Sequence, residues 1–168
     1  VEQPVTPKLR VGIGFDQHGF VAGPTTARVL VLGGVRFDEE RGLNGHSDAD
    51  VVAHAVADAM LGAAALGDLG DHFPDTDQRW AGADSLALLA QVADLLKATG
   101  LRLANADCTV ICETPRIGDA REIMMERLSA AAAGPVHVKA TRPEGLGSLG
   151  RAEGIACLAT ALLEEIGL

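Results

Sequence analysis

The stretch LRLANADCTVICETPRIGDAREIMMERLSAAAAGPVHVKAT, residues 101–141, decides the fold. Residues 101–112 read as a strand and 119–133 as a helix. Residues 136–141 (VHVKAT) set Val136 and Val138 between polar neighbours and read as a second strand. A strand–helix–strand unit implies a right-handed crossover that returns the chain to a parallel strand. Upstream, Val11, Ile13 and Phe15 alternate with small or polar residues, a strand signal from Arg10 onward. Residues 28–37 (RVLVLGGVRF) give a second strand region, kinked at Gly33 and Gly34.

A helix is expected over about 48–66, with Val51, Val52, Ala55, Val56, Ala59 and Met60 on its apolar side. Ser47 is its expected N-cap, and Asp50 three residues on resembles a capping box. A loop rich in Gly, Asp and Pro (67–82) follows. A second helix, about 84–98, turns Leu86, Leu89, Val92 and Leu96 inward and is closed by Gly100. A glycine-rich loop (145–150) leads to an expected last helix, about 152–166. The order β, β, α, α, β, α, β, α gives an α/β protein, an α+β sandwich with helices packed on a mixed β-sheet. Residues 1–9 read as an N-terminal tail or linker, and residues 10–168 as one domain.

Composition bounds the function. The chain has 168 residues, enough for a real core. Aromatics are 3% and glycines number 20, so the core is built from Leu, Val and Ala with many tight turns. A formal charge of −9 argues against a nucleic-acid binder. No apolar run reaches membrane-spanning length, and Val1 to Arg10 hold no signal-peptide core. Three cysteines (Cys108, Cys112, Cys157) in apolar stretches argue against a disulfide scaffold, fit a reducing cytoplasm and read as small buried hydrophobes.

Four groups of residues carry potential chemistry. Asp16 and His18 stand two apart on a strand and so share a face. Gly12 and Gly14 before them let the backbone approach a neighbour closely. In His46-Ser47-Asp48-Ala49-Asp50, continued by His54 and Asp58, the last three of these acids and imidazoles stand four apart on a helix. His46 and Ser47 precede a helix N-terminus, where free N–H groups and the macrodipole favour anions; a capping motif with a satisfied histidine is the plainer alternative. Asp16, His18 and His54 supply a carboxylate and two imidazoles, the ligand set of a catalytic zinc site with an open position, if the fold brings them together. The loop 67–77 is Asp-rich, suited to polyol hydroxyls or a cation, and His72 in it has no partner at useful spacing. Finally, 139–154 reads as a strand, a glycine loop and a helix start, a geometry suited to anions or simply to a connection. P-loop, HExxH and GxSxG motifs are all absent. These residues alone suggest phosphate chemistry on a small molecule.

The stretches GFDQH (14–18), GHSDADVVAHAVADAMLGAAALGDLGDHFPDTD (45–77), TPRIG (114–118) and GLGSLGRAEGIAC (145–157) together resemble the 2-C-methyl-D-erythritol 2,4-cyclodiphosphate synthases of the non-mevalonate isoprenoid pathway. The resemblance spans about residues 10–166, in order and at matching spacing. It implies a homotrimer with active sites between subunits. It implies a phosphorus–oxygen lyase that cyclises 4-diphosphocytidyl-2-C-methyl-D-erythritol 2-phosphate and releases CMP. Asp16, His18 and His54 would bind zinc, or manganese in its place. A second ion, magnesium or manganese, would accompany the nucleotide diphosphate.

Residue by residue, Asp16, Gln17 and His18 would meet substrate beside the metal. His46 and Ser47 would contact the phosphates, with His46 stabilising the transition state. Asp68, Leu69, Gly70, Phe73, Pro74, Asp75, Thr76 and Asp77 would hold the erythritol part. Cys112, Glu113, Thr114, Pro115, Arg116, Ile117 and Gly118 of a neighbouring subunit would line the cytidine pocket. Thr141, Arg142, Pro143 and Glu144 would touch the nucleotide phosphates and second metal. Ser148 and Arg151 complete the substrate set, with Arg151 and Glu153 near a central channel that in relatives holds isoprenoid diphosphates. Where the family has a run of threonines this chain reads Thr141-Arg142-Pro143, so Arg142 takes the catalytic position and brings a positive charge. An aromatic is common in the family at Ser148. The resemblance also implies fusion to, or association with, a cytidylyltransferase of the same pathway. Two alternatives on the same scaffold are a metal-dependent phosphohydrolase and a non-catalytic trimeric metal- or effector-binding module.

Overall fold

The computed structural model describes residues 8–23 and 28–166. Strands β1 (Leu9–Gly19), β4 (Leu101–Ile111), β5 (Val136–Thr141) and β6 (Gly154–Glu165) form one mixed sheet in the order β1-β6-β4-β5. β4 and β5 are parallel, with Ala106 opposite Val136 and Ile111 opposite Thr141, as a crossover through α4 (Arg121–Ala131) requires. β6 runs antiparallel to both β1 and β4. Helices α1 (Val51–Ala64), α3 (Ser85–Ala98) and α4 pack on the inner face of this sheet. The core between them is mostly Leu, Val, Ala and Met. Among the described residues no helix is long and apolar enough to cross a membrane.

Three expectations need correction. The last segment is a strand, preceded only by a one-turn helix, α5 (Gly147–Gly150), and not a helix over 152–166. GIACLATALLEE is rich in Ala and Leu, strong helix formers. Its Ile155, Cys157, Ala159, Ala161 and Leu163 nonetheless alternate into the core at period two. Paired on both edges, β6 obtains ladder hydrogen bonds and burial that override local propensity. Residues 28–37 are not one kinked strand. β2 (Val29–Leu32) and β3 (Val35–Arg41) form a hairpin, turned by Gly33 and Gly34 at φ +56° and +72°. The N-cap of α1 is Asp50, not Ser47: its carboxylate accepts from Val52 N and Ala53 N. The same carboxylate accepts from Gly33 N at 2.9 Å and Gly34 N at 2.7 Å, tying the hairpin turn to the helix start. Strand β1 begins at Leu9, one residue earlier than expected, and residues 1–7 of the expected tail lie outside the described residues.

β1 turns its glycines inward. A Cβ on Gly14 would strike the Ala55 carbonyl, and one on Gly12 the Ala59 carbonyl. The backbones of α1 and β1 thus meet with no side chain between them, and Ala55, Ala59 and Ala63 line the contact. The apolar side of β1 faces outward: Leu9, Val11, Ile13 and Phe15 are 58%, 73%, 67% and 53% exposed, joined by Leu158 from β6. A contiguous apolar sheet face of this kind marks an interaction surface.

Two measurements check this packing. Gly14→Ala forces α1 away from β1 and lowers the unfolding free energy by about 1–3 kcal/mol in urea denaturation. Burial raises the Asp50 carboxyl to about 6, against the hydrogen bonds from Gly34 and Gly33. The folded chain therefore holds this proton more tightly than the unfolded one. Asp50's contribution to stability is complete below about pH 4 and is lost as pH rises through about 6. In Asp50→Asn the decline in stability across that window shrinks.

Candidate active site

Asp16 and His18 project from the inner face of β1, and His54 reaches them from the first turns of α1. Asp16 Oδ2 lies 2.9 Å from His54 Nδ1 and 3.3 Å from His18 Nε2. One ligand atom from each of the three residues falls within 4.8 Å of the others. Donors sharing a tetrahedral zinc stand about 3.4 Å apart. A carboxylate with two imidazoles suits zinc and admits manganese, and three protein ligands leave a position open. The donor set and its spacing therefore fit a divalent cation.

Electrostatics sharpens that fit. Burial raises the Asp16 carboxyl, but hydrogen bonds from His18 and His54, with their charges, outweigh it and hold it well below the usual carboxylate range. Burial lowers His54, but the Asp16 carboxylate more than compensates, so its pKa lies above the ordinary histidine value. Without a cation the cluster stores a proton between Asp16 and His54. A cation must displace it.

His46 and Ser47 flank the cluster in a cavity of about 600 Å³ that also takes in His18, His54, Leu69, Gly70, Phe73, Pro74, Asp75 and Thr76. Leu69 and Gly70 belong to the short helix α2 (Leu69–His72), capped by Asp68, and Leu69 N donates to Asp58 at 2.7 Å. His46 Nε2 lies 3.3 Å from the Asp77 carbonyl, while the Asp77 carboxylate pairs with Arg79. The expected free N–H groups at the α1 N-terminus are spent: Asp50 takes Val52 and Ala53, Ser47 takes Ala49, and Asp48 takes the Asp50 N–H. An anion here meets side chains, not the helix dipole's donors. His72 lies outside the cluster, with Nε2 2.8 Å from the Leu66 carbonyl.

The residues expected on the nucleotide side line a different cavity of about 320 Å³: Cys112, Glu113, Pro115, Arg116, Ile117, Gly118, Thr141 and Arg142. There Arg142 donates to Glu113 Oε2 through Nε (3.1 Å) and Nη2 (2.7 Å), and Gly145 N donates to Glu113 Oε1 at 2.8 Å. Those donors hold the Glu113 carboxyl below its ordinary range. The Gly145 amide expected to face an anion thus already holds one. Thr114 turns away to donate to Glu40 at 3.0 Å. Gln17 and Ser148 share a third cleft of about 250 Å³ with Leu149 and Glu153. Pro143 accepts from Leu146 N, Glu144 adopts φ +53°, and Arg151 pairs with Glu153 at an exposed position. Burial pushes the Cys112 thiol up to about 11, which removes it as a nucleophile.

Several site residues carried no signal in the sequence. Arg28 donates through Nη1 to the Gly45 carbonyl at 2.6 Å and through Nη2 to the Ser47 carbonyl, gripping the turn that carries His46. Trp80 and Leu88 line the main cavity. Trp80 meets Phe73 edge-on at 5.0 Å. Ser85 sits against His54 at 2.8 Å. Arg28 and Ser85 act through contacts between segments far apart in the chain.

Fold and site together define a small α/β protein with a cluster fit for a divalent cation, opening on a cavity with both polar and apolar walls, a class suited to phosphorylated small molecules. Residues 9–164 match the YgbB family, and the chain belongs to that family. It is 54% identical over 159 residues to the 2-C-methyl-D-erythritol 2,4-cyclodiphosphate synthase of Rubrobacter xylanophilus, covering 93% of this chain and 95% of that protein. Among solved structures it resembles the bifunctional IspDF of Campylobacter jejuni (TM-score 0.88, 39% identity), covering 95% of this chain and 43% of that longer one. It also resembles the CDP complex of IspF from Plasmodium falciparum (TM-score 0.80, 28% identity, 95% of this chain and 97% of that one).

Because His54 must lose its raised proton to take a cation, zinc affinity rises with pH, by up to roughly tenfold per unit, until His54 is neutral. Calorimetry in buffers of different ionisation enthalpy checks both the slope and the released proton. His54→Ala abolishes the slope along with tight binding.

Proposed function

We propose that this chain converts 4-diphosphocytidyl-2-C-methyl-D-erythritol 2-phosphate to 2-C-methyl-D-erythritol 2,4-cyclodiphosphate with release of CMP, acting as a phosphorus–oxygen lyase of isoprenoid precursor synthesis. The observation that carries this reading is the convergence of Asp16, His18 and His54 beside His46 and Ser47, in a chain 54% identical to such a synthase. An oxygen of the 2-phosphate attacks the β-phosphorus, the bond from that phosphorus to the oxygen bridging the two phosphates breaks, and CMP departs with the bridging oxygen. Such a transfer requires positioning and charge neutralisation rather than a protein nucleophile.

His46 and Ser47 contact the phosphates, and His46 stabilises the charge that builds up as the ring closes. Asp68 to Gly70 and Phe73 to Asp77 hold the erythritol hydroxyls and fold them toward the diphosphate. When bound, a zinc or manganese ion at Asp16, His18 and His54 supplies Lewis-acid neutralisation of phosphate oxygens, and magnesium or manganese does so at the nucleotide diphosphate. Bound cations also reconcile a −9 chain with a polyanionic substrate. Cys112 to Gly118 accommodate cytidine, while Thr141, Arg142, Pro143 and Glu144 meet the nucleotide phosphates. Gln17, Ser148 and Arg151 complete the surround.

In one chain these nucleotide-side residues line a separate cavity from the metal cluster. We assign them to the site of a neighbouring subunit in a homotrimer. The outward apolar row Leu9, Val11, Ile13 and Phe15 supports the sheet face as the assembly surface. We take residues 10–168 as the synthase domain and 1–9 as tail or linker. The bifunctional IspDF supports a partnership with the cytidylyltransferase of the same pathway, by fusion or association. The three free cysteines fit a cytoplasmic setting.

The test is turnover followed by phosphorus resonances, with zinc and magnesium present. The expected result is cyclic diphosphate and CMP from the parent chain, and neither from His54→Ala. Open-chain hydrolysis products, or untouched substrate with metal bound, overturn the proposal. Arg142→Ala raises KM by about tenfold or more, the loss of a charge-assisted hydrogen bond to phosphate.

A further inference from the structure

We infer that Glu113 is a positioning residue whose carboxylate braces Arg142, so that the far edge of the guanidinium is held ready for a nucleotide phosphate. The inference rests on the nucleotide-phosphate role proposed for Arg142 above, and it says what equips that side chain for it.

The pairing starts in the sheet. β4 and β5 run parallel and end level, with Ile111 opposite Thr141. The ladder continues one step further, because Cys112 N donates to the Thr141 carbonyl at 3.3 Å. Glu113 and Arg142 therefore leave the carboxyl ends of neighbouring parallel strands, the edge at which open α/β sheets receive ligands. Pro143 restrains the Arg142 backbone to an extended form. Both side chains line the cavity of about 320 Å³.

The donors of Arg142 are divided between its two edges. Nε and Nη2 donate to Glu113 Oε2 at 3.1 and 2.7 Å, which uses two of the five guanidinium N–H groups along one edge. The other oxygen, Oε1, accepts from Gly145 N at 2.8 Å, so the carboxylate is tied to the glycine loop as well. Glu113 is the fixed member of the pair: its side chain is 16% exposed, against 56% for Arg142. The opposite edge, Nη1 with the second Nη2 hydrogen, meets no acceptor among the described residues. Two parallel N–H groups on that edge match two phosphate oxygens. A threonine, which the family resemblance implies at this place, reaches phosphate on a short stem. An arginine must first give up the rotamer freedom of a long side chain. Glu113 removes much of that freedom in advance, so less is lost when phosphate binds. A carboxylate that merely repelled phosphate would change affinity in the opposite direction.

The test is calorimetric titration of the full chain with CDP and with cytidine, magnesium present, arranged as a double-mutant cycle. Glu113→Ala is expected to weaken CDP about three- to tenfold, the cost of ordering one long side chain on binding. Cytidine, which has no phosphate for Arg142 to meet, is expected to stay within about twofold of the parent. In an Arg142→Ala background, Glu113→Ala is expected to change CDP affinity by less than about twofold. Glu113→Gln, which keeps the size but only one acceptor oxygen, weakens CDP in the same direction and serves should Glu113→Ala fail to fold. Unchanged or tighter CDP binding overturns the inference, as does an equal loss for cytidine. So does an equal loss with and without Arg142, which is what a merely structural hold on the Gly145 loop would produce. A parent chain that binds CDP no tighter than cytidine overturns the phosphate role of Arg142 and this inference with it; a parent that prefers CDP and is matched by Glu113→Ala overturns this inference only.

Discussion

Everything in the site depends on the contact between α1 and β1 across Gly12 and Gly14. Those two positions carry no side chain because a Cβ on either would meet a helix carbonyl. Only at that separation does His54, one turn past the Asp50 cap, reach an Asp16 carboxylate that sits two residues beyond Gly14. The same contact lets Asp50 reach the Gly33–Gly34 turn and fix where α1 begins. Backbone packing, not the reach of long side chains, sets the geometry of the cluster, and short alanines along α1 follow from it.

The inward glycines have a second consequence. A strand that presents glycine to its own core must place its bulky residues on the opposite side, and Val11, Ile13 and Phe15 lie there. The candidate metal ligands Asp16 and His18 and an apolar outer row are then two faces of one strand. A chain built this way holds the candidate cation cluster in one cavity and the residues proposed to meet the nucleotide in another. Assembly through the sheet would complete the site and cover the exposed apolar face at once.

Much of this was legible in the residues, and the rest was hidden for physical reasons. The β4–α4–β5 unit was readable because its two strands alternate apolar and polar residues and its ends are marked by turns. Asp16 and His18 were readable as a pair because strand neighbours two apart share a face. β6 was not, because a central strand with apolar residues on both faces looks like a helix of Ala and Leu. The α1 N-terminus was legible as a helix start but not as a closed one: the acids in His46-Ser47-Asp48-Ala49-Asp50 take the very N–H groups expected to meet phosphate. Arg28 and Ser85 gave no local sign, since each acquires its role from a partner 17 or more residues away. Arg142 showed as a departure from its family, but its engagement by Glu113 emerged only in three dimensions.

The most direct measurement is anomalous diffraction at the zinc edge from crystals of the zinc-loaded protein. The account predicts one ion per subunit, held by Asp16 Oδ2, His18 Nε2 and His54 Nδ1 at about 2.0–2.2 Å, with a further position open to the cavity of His46 and Ser47. An ion at another cluster, or bound through His54 Nε2 with the ring turned away from Ser85, would contradict it.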